Sequence, residues 1–198
     1  SDRFRLGYDN NLFFYDEFTK DNKRREIDFI VSCNYNEEFH YAKRKNYPLI
    51  IETLNILSKR NYSIVINGNG WMNCRNLDEK IKITNLNHKE TPNLFRKSKV
   101  FLMLSRIEGG HTSLVEALAC NTKALCCSTG FSFDFSDLDK QIQFISTDQN
   151  SFEIAEKAEY LLSLNNIDSQ TNLKLSKRLE KFSFNYLNNQ LKELVKNV

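Results

Sequence analysis

The sequence predicts an α/β fold: a Rossmann-like, three-layer domain on a mostly parallel sheet of about six strands, followed by C-terminal helices. Three observations predict it. Short β-rich runs alternate with stretches whose apolar residues recur at helical spacing, the pattern of strand–helix–strand crossovers. Val100-Phe-Leu-Met-Leu104 is apolar throughout, as a strand covered on both faces must be. That run leads through Gly109-Gly110 into another helical stretch, which places a helix N-terminus at the carboxyl edge of a parallel sheet.

Taken in order, Asp28–Cys33 is the first strand, and Tyr47–Arg60 carries a helical apolar pattern with Pro48 near its start. Ser63–Asn67 is a second strand closed by Gly68-Asn-Gly70, and Lys80–Thr84 a third. Thr91-Pro92 has the N-cap and first-turn chemistry of a short helix through Lys97. Val100–Leu104 is the fourth strand, Ser113–Cys120 a helix and Lys123–Cys127 the fifth strand. After a turn at Gly130 come a sixth strand, Gln141–Ile145, and a helix, Phe152–Leu162; residues 166–198 read as wholly helical. The organisation expected is a lead-in segment over 1–27, a Rossmann-like domain over 28–165 and a helical tail over 166–198.

Composition narrows the function. A net charge of +3 lacks the dense one-sided charge of a dedicated nucleic-acid binder, so no nucleic-acid partner is expected and any bound anion is small. Five cysteines, odd in number and without C-x-x-C spacing, read as buried thiols of a reducing cytosol. No apolar run reaches the roughly 20 residues that span a bilayer. The expected location is cytoplasmic, with peripheral docking at the inner face of the membrane as an extension of that reading.

The most informative segment is Ser105-Arg-Ile-Glu108-Gly109-Gly110-His111-Thr112-Ser113-Leu-Val-Glu116. The glycines let backbone N–H groups at a helix start approach a phosphate, and the helix dipole favours that charge. Two carboxylates, Glu108 and Glu116, frame the turn. Each has a plainer reading: Glu108 as a solvated loop acid, and Glu116 as the acid of a capping box Ser113-Leu-Val-Glu116. Taken alone, His111 is a polar helix-entrance residue, and no metal is assigned to it.

Glu108 through Glu116 resembles the E-x7-E motif of the retaining "group 1" glycosyltransferases, whose GT-B fold has two Rossmann-like halves. Ala117-Leu-Ala-Cys-Asn-Thr-Lys-Ala-Leu125 is similar to that family's continuation, with Asn121 and Lys123 where Gly and Pro are common. Lys45-Asn46 resembles its K-G element, Asn67-Gly-Asn-Gly70 its G-x-G, and Gly7-Tyr-Asp9 with Phe13 the lead into the carboxy-terminal half. The likeness runs from about residue 7 to 165, in the family's order.

The resemblance implies roles. Glu108 contacts the donor sugar, Glu116 the ribose hydroxyls and Lys45 the diphosphate; without it, Lys43-Arg44-Lys45 is an ordinary basic run. Gly109, Gly110, His111, Thr112 and Ser113 cradle the phosphates, Gly68 lines the donor site, and Asn87, with Asn85 and Leu86, lies near the base. The donor is UDP- or GDP-linked, no cofactor or metal is required, and the glycan or lipid-linked acceptor sits on the amino-terminal half, in polysaccharide assembly. One departure stands out: Ser32-Cys33-Asn34 replaces the usual first-strand Gly-Arg, leaving Lys43 or Arg44 to supply that charge. A degenerate, non-catalytic nucleotide-sugar-binding or scaffold domain, or a GT-B epimerase, are the alternatives.

Overall fold

The computed structural model describes residues 7–15, 25–146, 148–164 and 169–196. Its centre is one sheet of six strands, all parallel, in the order β3-β2-β1-β4-β5-β6. The strands are β1 Ile27–Ser32, β2 Ile64–Asn67, β3 Lys82–Thr84, β4 Ser98–Met103, β5 Lys123–Cys127 and β6 Ile142–Ile145. The chain builds outward from β1 to β3, then returns to lay β4 on the other side of β1. This reversal opens a crevice between the carboxyl ends of β1 and β4, where open α/β sheets hold their ligands. Ile27 faces Ser98 and Ile30 faces Phe101, so the two strands end close together.

Alternation along the strands divides the interior into two cores. Phe29, Val31, Ile64, Ile66, Val100, Leu102, Leu125 and Cys127 point to one face. There they meet Ile50, Leu54 and Leu57 of α2 (Tyr47–Lys59) and Ile154, Ala155, Ala158 and Leu161 of α5 (Ser151–Ser163). The intervening Ile30, Val65, Phe101, Met103, Ala124 and Cys126 point the other way. They meet α3 (Thr91–Arg96), α4 (Thr112–Ala119) and α6 (Ser169–Glu180). Burying each such side chain stabilises the domain by about 1.5–3 kcal/mol. β4 supplies both faces, which is why it reads as unbroken apolar sequence.

The helix α1 (Phe39–Lys45) is absent from the sequence-based reading, in which Lys43-Arg44-Lys45, apart from the resemblance, is an ordinary solvated basic run. It escapes notice because it is seven residues long and buries none of them, so it carries no apolar stripe. It stops at Asn46, which adopts the left-handed conformation (φ 60°) and starts α2 at once. Asn121 after α4 does the same (φ 57°). At both positions the family resemblance expects glycine, and Asn is the side chain that tolerates this geometry best. Lys123, at the expected proline, is buried, and its ammonium donates to the carbonyls of Leu161 (3.0 Å) and Leu164 at the end of α5. It satisfies carbonyls that the last helical turn leaves open.

Three further details differ from the sequence-based reading. Thr91 is the first helical residue of α3, not its cap; Glu90 precedes it. Trp71–Asn73 and Gly130–Phe135 form 3-10 turns. The tail divides into α6 and α7 (Phe184–Lys196). At the break, Tyr8 N–H donates to the Phe182 carbonyl (2.9 Å) and Phe184 N–H to the Tyr8 carbonyl (3.0 Å). Leu175, Leu179 and Phe182 share one core with α4, so α6 is packed into the body of the domain. Among the described residues no helix is long and apolar enough to cross a membrane. The five cysteines are free thiols; Cys120, Cys126 and Cys127 are buried, Cys33 and Cys74 partly so.

Candidate active site

The crevice between β1 and β4 holds a cavity of about 150 Å3. Ser32 and Cys33 from β1, Ser105 and Glu108 from the loop after β4, Lys45 from α1, and Gly110, His111, Thr112 and Ser113 at the start of α4 line it. Pockets that enclose a whole small ligand run to roughly 300–1,000 Å3, so this cleft is too small to enclose one whole.

Backbone geometry delivers Lys45 to the cleft. The left-handed turn at Asn46 ends α1 there, and the Asn46 amide reaches the Leu104 carbonyl at the end of β4 (3.5 Å). The Arg44 carbonyl accepts the Arg106 N–H (2.9 Å), fastening α1 to the loop that carries Glu108. The Lys45 ammonium forms an ion pair with Glu108 Oε1, and Arg44 Nη1 approaches Glu108 Oε2 at 3.4 Å. Of the two cations expected to substitute for the first-strand arginine, Arg44 reaches Glu108 but does not line the cleft. Lys43 lies over the Phe39 ring, 6.0 Å from its centroid. Burial pushes the Glu108 carboxyl up, but the hydrogen bond and charge of Lys45, together with His111 and Ser105, hold the group below its usual range.

The opposite wall is α4. His111 precedes it as N-cap with no side-chain capping bond, so the N–H groups of the first turn face the cleft. His111 is buried, and burial first, then the Lys45 charge, lower its pKa to about 4 against an opposing effect of Glu108. The imidazole is therefore neutral at physiological pH. Its Nε2 lies 3.4 Å from Thr129 Oγ1, and the same hydroxyl accepts the Glu108 N–H (3.1 Å). Thr129, at the end of β5, thus ties the Glu108 loop to the helix start. Gly130 beside it is required: its φ is 60°, and a Cβ would lie 3.0 Å from the Glu108 carbonyl. A Cβ on Gly109 would meet nothing within 4 Å, so that residue faces open space. Thr129 was not among the residues expected from sequence; Ser-Thr-Gly after a buried strand was its only signal.

Glu116 lies farther along α4. Ser113 is inside the helix rather than at its cap, so the capping-box reading of Glu116 does not hold. The carboxylate is 8% exposed, and His88 Nδ1 stands 3.8 Å away. Burial pushes its pKa up from 4.5 to about 7. A folded state that binds its proton more tightly than the unfolded chain loses stability as pH rises from about 4.5 to about 7, and the loss persists above. Glu116→Gln should therefore be about 1–3 kcal/mol more stable than the parent at pH 8, with the gap closing towards pH 4.5. Urea denaturation at both pH values measures it.

Two other expected residues are occupied structurally. Asn87 Oδ1 accepts the N–H groups of Lys89 (3.0 Å) and Glu90 (3.2 Å), opening the turn into α3. Gly68 N–H donates to the Thr84 carbonyl (2.9 Å), and a Cβ there would lie 2.1 Å from the Cys33 carbonyl. Gly68 sets how closely β2 and β1 approach; the structure does not bring it to the cleft.

The sequence matches the family described as Glycosyl transferases group 1 over residues 40–182. No curated protein matches the chain. Among solved structures, the C-terminal domain of a glycosyl transferase group 1 family protein (LpcC) from Francisella tularensis superimposes with a TM-score of 0.61. It is 19% identical, over 89% of this chain and 96% of that one. Sucrose-phosphate synthase from Thermosynechococcus elongatus gives 0.73 at 14% identity, over 97% of this chain and 51% of that one. The Anabaena protein Alr3699/HepE, solved with UDP and glucose, gives 0.72 at 15% identity, over 97% and 55%. The chain thus spans about half the length of the last two.

Proposed function

Since the chain belongs to the group 1 glycosyl transferases, we propose that it is the donor half of such an enzyme, binding a UDP- or GDP-linked sugar for retaining transfer to a glycan or lipid-linked acceptor held by the other half. The observation that carries this reading is the Lys45–Glu108 pair facing the open N-terminus of α4 across one small cleft. Breaking a glycosyl–phosphate bond leaves negative charge on the departing diphosphate. Lys45 and the N–H groups at Thr112 and Ser113 are fixed positive partners for it, preorganised without a divalent ion. Retention follows from front-face attack, in which the leaving phosphate takes the acceptor's proton, so no basic residue is needed for that step. Glu108 receives the sugar, and Glu116 the ribose hydroxyls.

Titration calorimetry of this chain with UDP and GDP, with and without chelator, tests the reading. Binding that is unchanged by chelator supports it, and no binding of either at millimolar concentration refutes it. Glu116→Gln should weaken UDP or GDP about 10- to 100-fold, the worth of a charge-assisted hydrogen bond. Glu108→Gln should leave the bare nucleotide nearly unchanged, because its partner is the sugar.

A further inference from the structure

The Thr129 hydroxyl is committed on every side, and that fixes the state of the histidine beside it. Its Oγ1 accepts the Glu108 N–H (3.1 Å), and it also accepts the Ser132 N–H in the capping box that opens the Gly130–Phe135 turn. Ser132 is fully buried, and its own hydroxyl accepts the Thr129 N–H (3.0 Å), so this holder is rigid. A hydroxyl has two acceptor lone pairs and one proton. Backbone N–H groups use both lone pairs here, which leaves Oγ1 its proton to give. Among the described residues two acceptors lie within reach of that proton, the Glu108 carbonyl and His111 Nε2, each at 3.4 Å. A proton on Nε2 would face an oxygen with no lone pair to receive it. Nε2 is therefore the unprotonated nitrogen. The ring is uncharged at neutral pH, since burial above all lowers its pKa to about 4, so its one proton belongs on Nδ1.

We infer that Thr129 is a positioning residue that holds His111 as its Nδ1–H tautomer, so that the imidazole acts in the cleft as a hydrogen-bond donor to the diphosphate, beside the N–H groups of Thr112 and Ser113. The inference rests on the donor-site reading of the cleft. His111 lines that cleft with Thr112, Ser113 and Lys45, and it is buried, so its ring is held in one place. An uncharged donor suits the position. Lys45 already supplies the charge, and a second cation close by would stand against it. A hydrogen bond from a neutral N–H to a phosphate oxygen is charge-assisted and among the stronger kinds. The other tautomer would turn a lone pair on the phosphate and repel it. Thr129, which touches no ligand in this reading, thus decides the sign of the interaction that the histidine makes.

The first test needs no nucleotide. NMR of the isotope-labelled histidine nitrogens of this chain at neutral pH reads the tautomer, and His111 is identified by the signals that His111→Phe removes. The parent should be protonated at Nδ1 and unprotonated at Nε2. Thr129→Ser, which keeps the hydroxyl, should show the same, whereas Thr129→Val should move the ring proton towards Nε2. A parent protonated at Nε2, or a Thr129→Val tautomer equal to the parent's, overturns the inference. Affinity for UDP and GDP is the second test. His111→Phe and Thr129→Val should each weaken the nucleotide about tenfold, the worth of one hydrogen bond to a charged oxygen, and Thr129→Ser should bind as the parent does. The double variant should be no weaker than either single one, because both remove the same donor. Losses that multiply to about a hundredfold mark two independent effects and overturn the inference. Should Thr129→Val not fold, the parent's tautomer and the Thr129→Ser and His111→Phe affinities decide. A parent that binds neither nucleotide refutes the donor-site reading and the ring's role with it, while the tautomer still decides the Thr129–His111 pairing.

Discussion

Lys45→Met should lower turnover of the enzyme that carries this chain by about 10²–10³-fold, the cost of removing one preorganised partner of a developing oxyanion. In this chain alone it should weaken UDP or GDP by about 10- to 100-fold. The corresponding nucleoside monophosphate should be little affected, because the proposed partner of the lost ammonium is the diphosphate. Structure makes Lys45 hard to replace. It is held at a left-handed helix junction, next to a backbone hydrogen bond between Arg44 and Arg106, and among the described residues no other ammonium lines the cleft. Arg44 at 3.4 Å keeps part of the Glu108 interaction, so the variant should fold. Glu108, however, loses its main stabilising partner against burial, and its carboxyl should rise in pKa. Residual activity of Lys45→Met should therefore climb with pH more steeply than that of the parent. A Lys45→Met chain that binds UDP and UMP as the parent does would remove the diphosphate assignment.

Most of the fold is legible in the sequence because each strand carries its own signal. Strand β5 and the start of α2 fall where apolar patterning and Pro48 put them, and the other strands differ by a residue or two. What is not legible is whatever depends on packing between distant segments. The α1 helix has no buried face, so periodicity cannot reveal it; it is fixed by contacts to the loop after β4. Asn46 and Asn121 align with family glycines in sequence, and their positive φ values give the physical reason. At the site, Glu108 and the α4 N-terminus were legible through motif spacing, since a strand–turn–helix unit keeps them local, whereas Lys45, 63 residues from Glu108, was picked out by the resemblance of Lys45-Asn46 to the K-G element alone. Thr129 was not, because it is made relevant by contacts to Glu108 and His111 across 21 and 18 residues of chain. The same holds for Glu116: its spacing suggests a capping box until the helix start at Thr112 shows that the cap lies elsewhere.

The largest stability effect is expected at a residue with no side chain. Gly68 sits where β2 leaves the sheet, with φ at 155°, a conformation that residues with side chains rarely adopt. A Cβ there would stand 2.1 Å from the Cys33 carbonyl oxygen and 2.6 Å from its carbon. Both obstacles are backbone, so neither yields by rotating a side chain. Relief requires β1 and β2 to separate at their carboxyl ends. That motion would pull on the Cys33 N–H bond to Asn67 (3.1 Å) and on the Trp71 indole N–H bond to the Cys33 carbonyl (2.7 Å). Trp71 is fully buried, and loosening its seat exposes a large apolar surface. Gly68→Ala should thus cost about 2–5 kcal/mol, combining conformational strain with overpacking. Gly109→Ala, whose Cβ meets nothing, should cost under about 1 kcal/mol and serves as the control. Urea denaturation of the two variants beside the parent measures both effects. Because Cys33 also lines the proposed donor cleft, the nucleotide affinity of Gly68→Ala should fall even where the chain remains folded. Equal stability of Gly68→Ala and the parent would mean that the ends of β1 and β2 are not held together as described.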